Sequence, residues 1–390
     1  MKRVAILGST GSIGVNALNV IREMPDMLSV FGLAAHSNAA LVAAQAKEFG
    51  AAAVAMFDSS AGADLRTRLN GKAKHLAPGV EGLCDLASHP DVDVVLTSLV
   101  GGVGFAPLLA AIRAGKIIAL ANKEPMVMAG AQFMREAERW NAKIVPVDSE
   151  PSAIFQCVQG LNPDPRAAAP LKTIRRVILT ASGGAFAKYK GDLAEVTPDM
   201  ALKHPTWKMG KKITIDCATL MNKGFELIEI MNLFGLRREQ VDIVIHPQSI
   251  FHSGVEFSDG SVLAQMGVPD MKLPIQYGMT YPERGGRVIE PLDLIKAGRL
   301  DFSVPDFSRF PCLALAREAA QKGGGMPAVL NAADEIAVSA FLKQRIRFTD
   351  IPRVVEKTMA AYSPSGGLPS FQEVVEVDAW ARAKAEESCP

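Results

Sequence analysis

A glycine-rich turn between an apolar run and an amphipathic run constrains the fold of this chain most strongly. The segment Gly8-Ser9-Thr10-Gly11-Ser12-Ile13-Gly14 follows Val4–Leu7 and opens a helix-like run that stops at Pro25. Glycines here permit a tight turn and close approach of the backbone to a diphosphate, while the helix N-terminus offers free N–H groups. The G-x-x-G-x-x-G spacing is not the commonest one, and a purely structural turn is the alternative. The strand–turn–helix context predicts a dinucleotide site.

Strand-like and helix-like runs alternate over residues 1–150. The predicted strands are Val4–Leu7, Leu28–Ala35, Ala52–Phe57, Asp93–Val100, Lys116–Ala121 and Lys143–Val147, and the predicted helices are Ser12–Met24, Asn38–Phe49 and Pro107–Ala114. Continuously apolar strands that alternate with helices indicate a parallel sheet covered on both faces. We therefore predict an α/β protein whose residues 1–150 form a Rossmann-like, doubly wound domain.

The pattern changes after Pro151. Residues 151–280 predict an α+β catalytic domain, with strands at Arg176–Thr180, Val241–His246 and Ser261–Met266 and a helix at Leu220–Phe234. Residues 281–312 are rich in Pro and Gly and have little periodicity, which is typical of a linker. Residues 313–390 predict a helical domain, with helices at Leu313–Gln321, Asn331–Lys343, Ile351–Tyr362 and near Phe371–Glu387.

Composition narrows the class of protein. The 390 residues carry a formal net charge of +1, so no global field draws the chain to nucleic acid or to an anionic membrane. The five cysteines have no CxxC spacing, which favours reduced thiols. No apolar run reaches the roughly 18 residues of a membrane span. The first strand begins so near Met1 that no signal peptide is expected. We expect a cytoplasmic enzyme without nucleic-acid or membrane partners.

The residues after the second predicted strand bear on the choice of cofactor. NAD sites usually place Asp or Glu there to accept hydrogen bonds from the ribose. Here the chain reads Ala35-His36-Ser37-Asn38, with no acid before Glu48. The donors at His36, Ser37 and Asn38 favour the 2′-phosphate of NADP, and an ordinary polar N-cap for the next helix is the alternative.

Two groups of acids suggest a metal site. Asp148 and Glu150 follow the last strand of the first domain, and in an extended chain they would project to the same side. Asn222, Glu226 and Glu229 are spaced to form one polar stripe on an otherwise apolar helix, although a helix facing water would show the same stripe. Only hard oxygen ligands are on offer, which indicates Mg²⁺ or Mn²⁺ rather than zinc.

Two further segments are candidates for binding the substrate. Ser182-Gly183-Gly184 follows a predicted strand and is a possible phosphate-binding turn. His204-Pro205-Thr206-Trp207-Lys208-Met209-Gly210 is a polar and aromatic loop with a glycine hinge, and it predicts a flexible lid over residues 204–210. Packing is the more common role of a single tryptophan in a loop.

In these motifs the chain closely resembles the 1-deoxy-D-xylulose 5-phosphate reductoisomerase family. The resemblance is carried by Gly8–Gly14, Ala121-Asn122-Lys123-Glu124, Asp148-Ser149-Glu150-Pro151-Ser152, Ser182-Gly183-Gly184, His204-Pro205-Thr206-Trp207 and Asp216 through Glu229. It implies a metal-dependent rearrangement of 1-deoxy-D-xylulose 5-phosphate, by retro-aldol cleavage and re-addition, and reduction by NADPH to 2-C-methyl-D-erythritol 4-phosphate. It also implies a homodimer.

The resemblance implies a role for each matching residue. The implied metal ligands are Asp148, Glu150 and Glu226, with Glu229 a nearby acid. The implied catalytic residues are Lys123, His204 and those three ligands. The implied substrate contacts are Lys123, Ser149, Glu150, Ser182, His204, Trp207, Cys217, Asn222, Lys223 and Glu226. The implied NADPH contacts are Thr10, Gly11, Ser12, Ile13, Asn38, Asn122, Glu124 and Gly210, to which the sequence adds His36 and Ser37.

Two positions depart from the family pattern. Ser37 stands where lysine is frequent, so discrimination of NADP from NAD is expected to be weaker. Cys217 stands where a serine hydroxyl commonly donates to phosphate, and a thiol is a poorer donor. Two alternative functions stay open from the sequence: another NADP-dependent dehydrogenase of a small phosphorylated or acidic metabolite, and a non-catalytic NADP-binding sensor.

Overall fold

A parallel sheet of seven strands dominates the N-terminal part of the molecule. The computed structural model describes residues 1–159, 173–363 and 366–389. The strands of the first sheet are β1 (Lys2–Leu7), β2 (Leu28–Ala35), β3 (Ala53–Met56), β4 (Lys74–His75), β5 (Val94–Thr97), β6 (Ile117–Leu120) and β7 (Lys143–Pro146). Their order is β4-β3-β2-β1-β5-β6-β7, and every pair is parallel. This order confirms the predicted Rossmann-like fold.

Helices cover this sheet because its strands are apolar on both faces. Val4–Leu7 of β1 are fully buried, as are most residues of β5 and β6. The helices are α1 (Ser12–Glu23), α2 (Ala39–Phe49), α3 (Ser59–Leu69), α4 (Gly79–Ser88), α5 (Phe105–Arg113) and α6 (Glu124–Arg139). Helix α1 buries the stripe formed by Ala17, Leu18 and Ile21. Helices α3, α4 and α6 and strand β4 were not among the predicted elements.

The strand register brings five strand ends to one edge of the sheet. Leu7 of β1 pairs with Ala34 of β2 and with Thr97 of β5. Thr97 pairs in turn with Leu120 of β6, which pairs with Pro146 of β7. The residues that follow these ends therefore meet at the edge where open α/β sheets bind ligands.

A second, mixed sheet follows. The elements of this region are α7 (Ser149–Cys157), β8 (Ile174–Ala181), α8 (Pro198–Ala201), α9 (Lys211–Thr219), α10 (Met221–Phe234), β9 (Val241–Ile245), β10 (Phe251–Phe257), β11 (Val262–Met266) and α11 (Lys272–Thr280). The order is β11-β10-β8-β9, in which β8 and β9 are parallel and β10 is antiparallel to both of its neighbours. The predicted α+β character is confirmed, and β10 is an additional strand.

Helix α11 packs on the first sheet although the sequence assigns it to the second domain. A Cβ on Gly278 would lie 2.8 Å from a methyl carbon of Val147 and 3.3 Å from Cβ of Ala119. The domain boundaries predicted at residues 150, 280 and 312 stay a prediction. The ranges 151–280 and 313–390 also include residues 160–172, 364–365 and 390, which lie outside the described part of the chain.

Four long helices form most of the remaining structure, as predicted. The segment before them contains the short helix α12 (Leu294–Ala297) and a bridge between Ile245 and Ser303. The long helices are α13 (Pro311–Lys322), α14 (Met326–Leu342), α15 (Ile351–Ala361) and α16 (Phe371–Glu386). Helix α14 is the central one, since it packs against α13, α15, α16 and α6.

Close helix packing generates a first prediction, at Gly224 of α10. A Cβ at this position would lie 2.3 Å from Cβ of Ala316 on α13. Gly224→Ala should therefore lower the free energy of unfolding by about 1–3 kcal/mol, because the two helices must separate. The measurement is chemical denaturation.

The matched control is Gly62→Ala in helix α3, where the nearest atom is 3.8 Å from the added Cβ. That change should stabilise by up to about 1 kcal/mol, since alanine favours the helix. Equal stability of the two variants would contradict the tight contact between α10 and α13.

Candidate active site

The glycine turn of the first domain is built for close approach. Gly8 has φ of +101°, and a Cβ there would lie 2.4 Å from the carbonyl oxygen of Ser98. A Cβ on Gly14 would lie 2.3 Å from the carbonyl oxygen of Gly8, which explains the third glycine. Gly11 precedes α1 without a side-chain cap, so no capping side chain accepts from the N–H groups of the first turn. This geometry supports the predicted diphosphate site.

The end of β2 carries the three predicted donors on the surface. His36, Ser37 and Asn38 are exposed, and His36 stacks on Phe57 with 5.1 Å between ring centroids. The alternative interpretation holds for Asn38, because its Oδ1 caps α2 by accepting from the amide of Leu41 at 3.1 Å. Its amide nitrogen is the group left to face a ligand.

An acid does approach this corner from the neighbouring strand. Asp58 follows β3, and its amide donates to the carbonyl of His36 at 2.9 Å. Its carboxylate is used locally, because Oδ1 accepts from the Ser60 hydroxyl at 2.5 Å and from the Ala61 amide at 2.8 Å. This carboxylate caps α3 and does not replace the missing ribose acid of an NAD site.

Asn122 and Glu124 lie buried at the end of β6, beside the turn that follows β5. The Asn122 amide donates to the carbonyl of Gly101 at 3.3 Å and also to the Glu124 carboxylate. A Cβ on Gly104 would overlap Oδ1 of Asn122, at 1.7 Å. These contacts hold both residues against the turn that follows β5.

Three carboxylates converge as the sequence predicted. Asp148, Glu150 and Glu226 each offer an oxygen, and these three atoms lie within 4.8 Å of one another. The reason given for the first two was wrong: the chain is not extended there, because Asp148 is the N-cap of α7 and Glu150 lies in its first turn. Helix α10 contributes Glu226, whose residue is fully buried. An all-oxygen set of three acids fits Mg²⁺ or Mn²⁺.

Two buried lysines hold these carboxylates together. Lys123 pairs with Asp148 and lies 3.2 Å from Oε1 of Glu226, and it donates to Oδ1 of Asn222 at 2.7 Å. Lys223 donates to Glu150 at 2.8 Å and to Glu226 at 2.5 Å. Burial alone would lower the pKa of both lysines, but their acidic partners raise it well above the ordinary value. Both are therefore ammonium groups.

The acids of α10 respond to the same surroundings. Burial, reinforced by Glu150, raises the pKa of Glu226 to about 7. Burial and then Asp148 raise the pKa of Glu229 well above its ordinary value, and neither of its oxygens has a hydrogen-bond partner. The predicted stripe of Asn222, Glu226 and Glu229 is thus buried, which excludes the water-facing alternative.

The glycine turn after β8 packs against the helix that carries Cys217. Gly183 and Gly184 have φ of +87° and +65°, and a Cβ on Gly184 would lie 2.3 Å from the carbonyl oxygen of Cys217. The Ser182 hydroxyl accepts from the Gly184 amide at 3.2 Å. Burial raises the pKa of the Cys217 thiol, so it is a neutral and weak donor.

His204 anchors the predicted lid. Its Nδ1 accepts from the amides of Thr206 and Trp207 at 3.1 and 2.9 Å, which leaves Nε2–H to donate to the Ser182 hydroxyl at 3.0 Å. Burial lowers the pKa of His204 to about 4. The imidazole is therefore neutral near pH 7 and in one tautomer.

One cleft collects most of the predicted site residues. It has about 920 Å³ of space between the first sheet, α10 and the lid. Of the predicted residues it is lined by Ser12, Ile13, Lys123, Asp148, Ser149, Glu150, Ser182, His204, Trp207, Gly210, Cys217, Asn222 and Lys223. Thr10, Gly11, His36, Ser37, Asn38, Asn122, Glu124 and Glu226 do not line it.

Sequence reasoning missed several residues of the cleft. Lys208, Met209, Ile213, Leu220 and Met271 also line it. Leu220 has φ of +62° at the junction of α9 and α10, a conformation that is rare for a bulky residue and that no sequence signal announces. The apolar residues carry no motif, although Lys208 and Met209 fall inside the predicted lid.

Together these features define a class: an α/β enzyme with a dinucleotide site and an adjacent three-carboxylate site for a divalent cation. Comparisons with known proteins agree. The model of 1-deoxy-D-xylulose 5-phosphate reductoisomerase matches residues 4–130, and models of the C-terminal domains of that enzyme match residues 144–234 and 266–384.

Relatives and solved structures match over nearly the whole chain. The 1-deoxy-D-xylulose 5-phosphate reductoisomerases of Elusimicrobium minutum and a Synechococcus strain are 52% and 49% identical, over 99% and 98% of this chain and 97% and 96% of theirs. The Zymomonas mobilis enzyme in complex with NADPH is 41% identical, with a TM-score of 0.89 over 99% of this chain and 98% of its own. A DOX-P reductoisomerase in complex with NADPH, fosmidomycin and magnesium is 39% identical, with a TM-score of 0.94 over 100% of this chain and 98% of its own.

This chain belongs to the 1-deoxy-D-xylulose 5-phosphate reductoisomerase family, as the resemblance indicated. Among the described residues, no helix is both long and apolar enough to cross a membrane.

The state of His204 can be tested directly. In ¹⁵N-histidine NMR spectra of the ligand-free protein, the His204 ring should stay in the neutral Nε2–H form down to about pH 5 and titrate near 4. Burial is the cause, since it disfavours the imidazolium. A midpoint near 6.5 would contradict the buried, hydrogen-bonded ring.

Proposed function

We propose that this chain binds NADPH and one Mg²⁺ or Mn²⁺ and converts 1-deoxy-D-xylulose 5-phosphate into 2-C-methyl-D-erythritol 4-phosphate, a step of isoprenoid precursor synthesis. The observation that carries the proposal is the three-carboxylate cluster, because two of its members, Asp148 and Glu150, line the same cleft as Ser12 and Ile13 of the glycine turn. The full-length similarity to enzymes of this name supports the substrate, and the relatives' complexes with NADPH and magnesium support both cofactors.

The two cofactors would divide the chemistry between them. A bound divalent cation polarises a carbonyl group and stabilises charge on neighbouring oxygens, and NADPH donates the hydride that reduces the rearranged aldehyde. We assign Asp148, Glu150 and Glu226 to the cation. Thr10 to Ile13, together with Asn38, Asn122, Glu124 and Gly210, are assigned to NADPH, as are His36 and Ser37.

The remaining cleft residues would bind and orient the substrate. Lys123 is an ammonium that lines the cleft beside Asp148, so it can donate to a substrate oxygen that develops negative charge. His204 is neutral and offers only Nε2–H on its free side, so it donates there. Ser149 and Trp207 also line the cleft, where Trp207 lies 6.5 Å from the ring of His252 and can cover the carbon chain.

The substrate phosphate is assigned to Ser182, Cys217, Asn222 and Lys223. Both Asn222 and Lys223 contact carboxylates in this structure. The Asn222 amide donates to Glu226 at 2.6 Å, and Lys223 donates to Glu150 and Glu226. A cation on the carboxylates would compete with these contacts and make the two donors available. Phosphate binding far from the reacting carbons can then drive closure of the lid over 204–210.

Two alternatives make different demands on this site. Another NADP-dependent dehydrogenase of a small metabolite needs no three-carboxylate cluster, so a strict requirement for Mg²⁺ or Mn²⁺ discriminates against it. A non-catalytic NADP sensor would not oxidise NADPH at all. One spectrophotometric assay of NADPH oxidation with 1-deoxy-D-xylulose 5-phosphate, with and without metal, tests all three functions.

We also propose a homodimer in the cytoplasm. The edge strand β11 supports self-association, because Val262 and Leu263 are about half exposed on an unpaired sheet edge of the described structure. Light scattering of the purified protein measures the oligomeric state.

Glu226→Gln tests the metal site. Loss of one anionic ligand should lower metal-dependent turnover by at least about 100-fold and leave the Kd for NADPH nearly unchanged. Metal affinity is measured by calorimetry and NADPH binding by fluorescence. Glu239→Gln, on the surface just after α10, is the control and should behave as the native protein. Native turnover in Glu226→Gln would remove Glu226 from the metal site.

Ser37→Lys tests the preference for NADPH. A lysine beside the exposed end of β2 adds a cation where the 2′-phosphate is expected, so kcat/KM for NADPH relative to NADH should rise by about tenfold. Ser258→Lys adds the same charge at an exposed turn of the second sheet and should leave the ratio unchanged. An equal ratio in both variants would place the 2′-phosphate elsewhere.

A further inference from the structure

The C-terminal helices line none of the active-site cleft in the described structure, yet they contribute a buried acid close to it. Every described residue that lines the cleft precedes residue 272. Asp334 on helix α14 is fully buried, and its carboxylate lies 3.1 Å from Nζ of Lys212. Lys212 stands two residues after Gly210, where the lid ends and α9 begins. The pair therefore joins the helical domain to the end of the lid.

Lys212 is held by three acids from three parts of the chain. Its ammonium lies 2.7 Å from Oδ2 of Asp216 on the same helix, 3.1 Å from Asp334, and 3.9 Å from Oε1 of Glu124 at the start of α6. The ammonium also stands over the ring of Phe225, 4.4 Å from its centroid. Although burial opposes it, these acids raise the pKa of Lys212, so the side chain is a buried cation.

Two residues assigned to the cofactor lie near Lys212. Gly210 precedes it by two positions, Glu124 faces it, and Glu124 accepts a hydrogen bond from Asn122. Phe225, under the ammonium, immediately precedes Glu226 of the carboxylate cluster. A shift of Lys212 would thus displace groups of the cofactor site first.

The neighbouring acid of α14 reaches the same region from the other side. A Cβ on Gly101 would lie 2.9 Å from Oε1 of Glu335, so this carboxylate lies against the turn after β5. Glu335 accepts from Arg382 at 2.8 Å and from Asn331 at 3.0 Å. The carbonyl of Gly101 also accepts from Asn122. Consecutive acids of α14 therefore lie against Lys212 and against the turn after β5, whose Gly101 carbonyl accepts from Asn122.

We propose that Asp334 and Lys212 form a positioning pair through which the C-terminal helical domain holds the cofactor-binding residues Gly210 and Glu124 in place. Neither member of the pair lines the cleft. The inference rests on the proposed assignment of Gly210 and Glu124 to NADPH. Because a preformed site loses less conformational freedom on binding, the pair should act on NADPH affinity more than on substrate affinity.

Asp334→Asn is the variant that tests the proposal with the least risk to folding. It keeps the shape of the side chain and leaves the contact between Lys212 and Asp216 in place, so the lysine still has a buried acidic partner. The Kd for NADPH, measured by fluorescence with the full-length protein, should rise by about tenfold, the size of a strong side-chain coupling. KM for 1-deoxy-D-xylulose 5-phosphate at saturating NADPH should change by less than about twofold. Glu318→Gln, an exposed acid of α13, is the matched control.

Variants at Lys212 complete a double-mutant cycle. Lys212→Met combined with Asp334→Asn should weaken NADPH binding no more than Lys212→Met alone, because the two residues act as one unit. Lys212→Arg keeps the cation and should restore most of the NADPH affinity that Lys212→Met loses. Melting temperatures are recorded for every variant to separate positioning from stability.

The outcomes are distinct. An unchanged Kd for NADPH in Asp334→Asn overturns the proposal, and so does an equal loss of NADPH and substrate affinity that follows a lowered melting temperature. Additive effects of the two single changes overturn the pairing. If the native protein binds NADPH but does not turn over 1-deoxy-D-xylulose 5-phosphate, the proposed function fails, while the binding cycle still tests the pair.

Discussion

Three carboxylates lie close together in the candidate active site, and two buried ammonium groups compensate their charge. The arrangement of the site depends on these two cations. Lys123 follows the first sheet and contacts Asp148 and Glu226, while Lys223 on α10 contacts Glu150 and Glu226. Loss of one partner of a buried ion pair costs about 3–5 kcal/mol, because the other charge is left without compensation. The carboxylates are thus held close together before any metal binds, and a divalent cation can exploit that proximity.

Backbone contacts fix the surroundings of this charged cluster. Gly14 allows α1 to start directly against Gly8, Gly184 lets the turn after β8 rest on the backbone of Cys217, and Gly278 brings α11 onto the first sheet. Each of these contacts leaves no space for a Cβ. The distances of the glycine turn after β1, the glycine turn after β8 and helix α11 from their neighbours are therefore set by the backbone. His204 extends the arrangement to the lid through its bond to Ser182.

The sequence predicted the elements whose signals are local. Strand β2 and the starts of α1 and β7 were predicted to the residue, because apolar runs and glycine or Asn boundaries mark them. The helix that starts after Asp148 was not predicted. An acid that caps a helix and an acid that simply follows a strand look the same in the sequence. The left-handed conformation of Leu220 was missed because no local signal marks it. The ion pair of Lys212 and Asp334 was missed because only tertiary packing brings together residues that are 122 positions apart. Motifs pointed to the carboxylates of the cluster but gave no account of the lysines that compensate their charge.

The two charged clusters of the molecule are connected by covalent neighbours, and this connection bears on catalysis. Lys123 belongs to the carboxylate cluster and Glu124 faces Lys212; on α10, Phe225 lies under Lys212 and Glu226 is a proposed metal ligand. A movement of one cluster therefore pulls on the other through single peptide bonds. Hydride transfer needs the cofactor and the substrate carbonyl within a narrow range of distance and angle. With the residues proposed for the cofactor near Lys212 and the proposed metal ligands near Lys123, the protein can hold that distance through the contacts between the two clusters. Helix α14 contributes Asp334 to the cluster around Lys212. In the positioning role that we propose, helices that do not line the cleft thus help to set the geometry of the reaction.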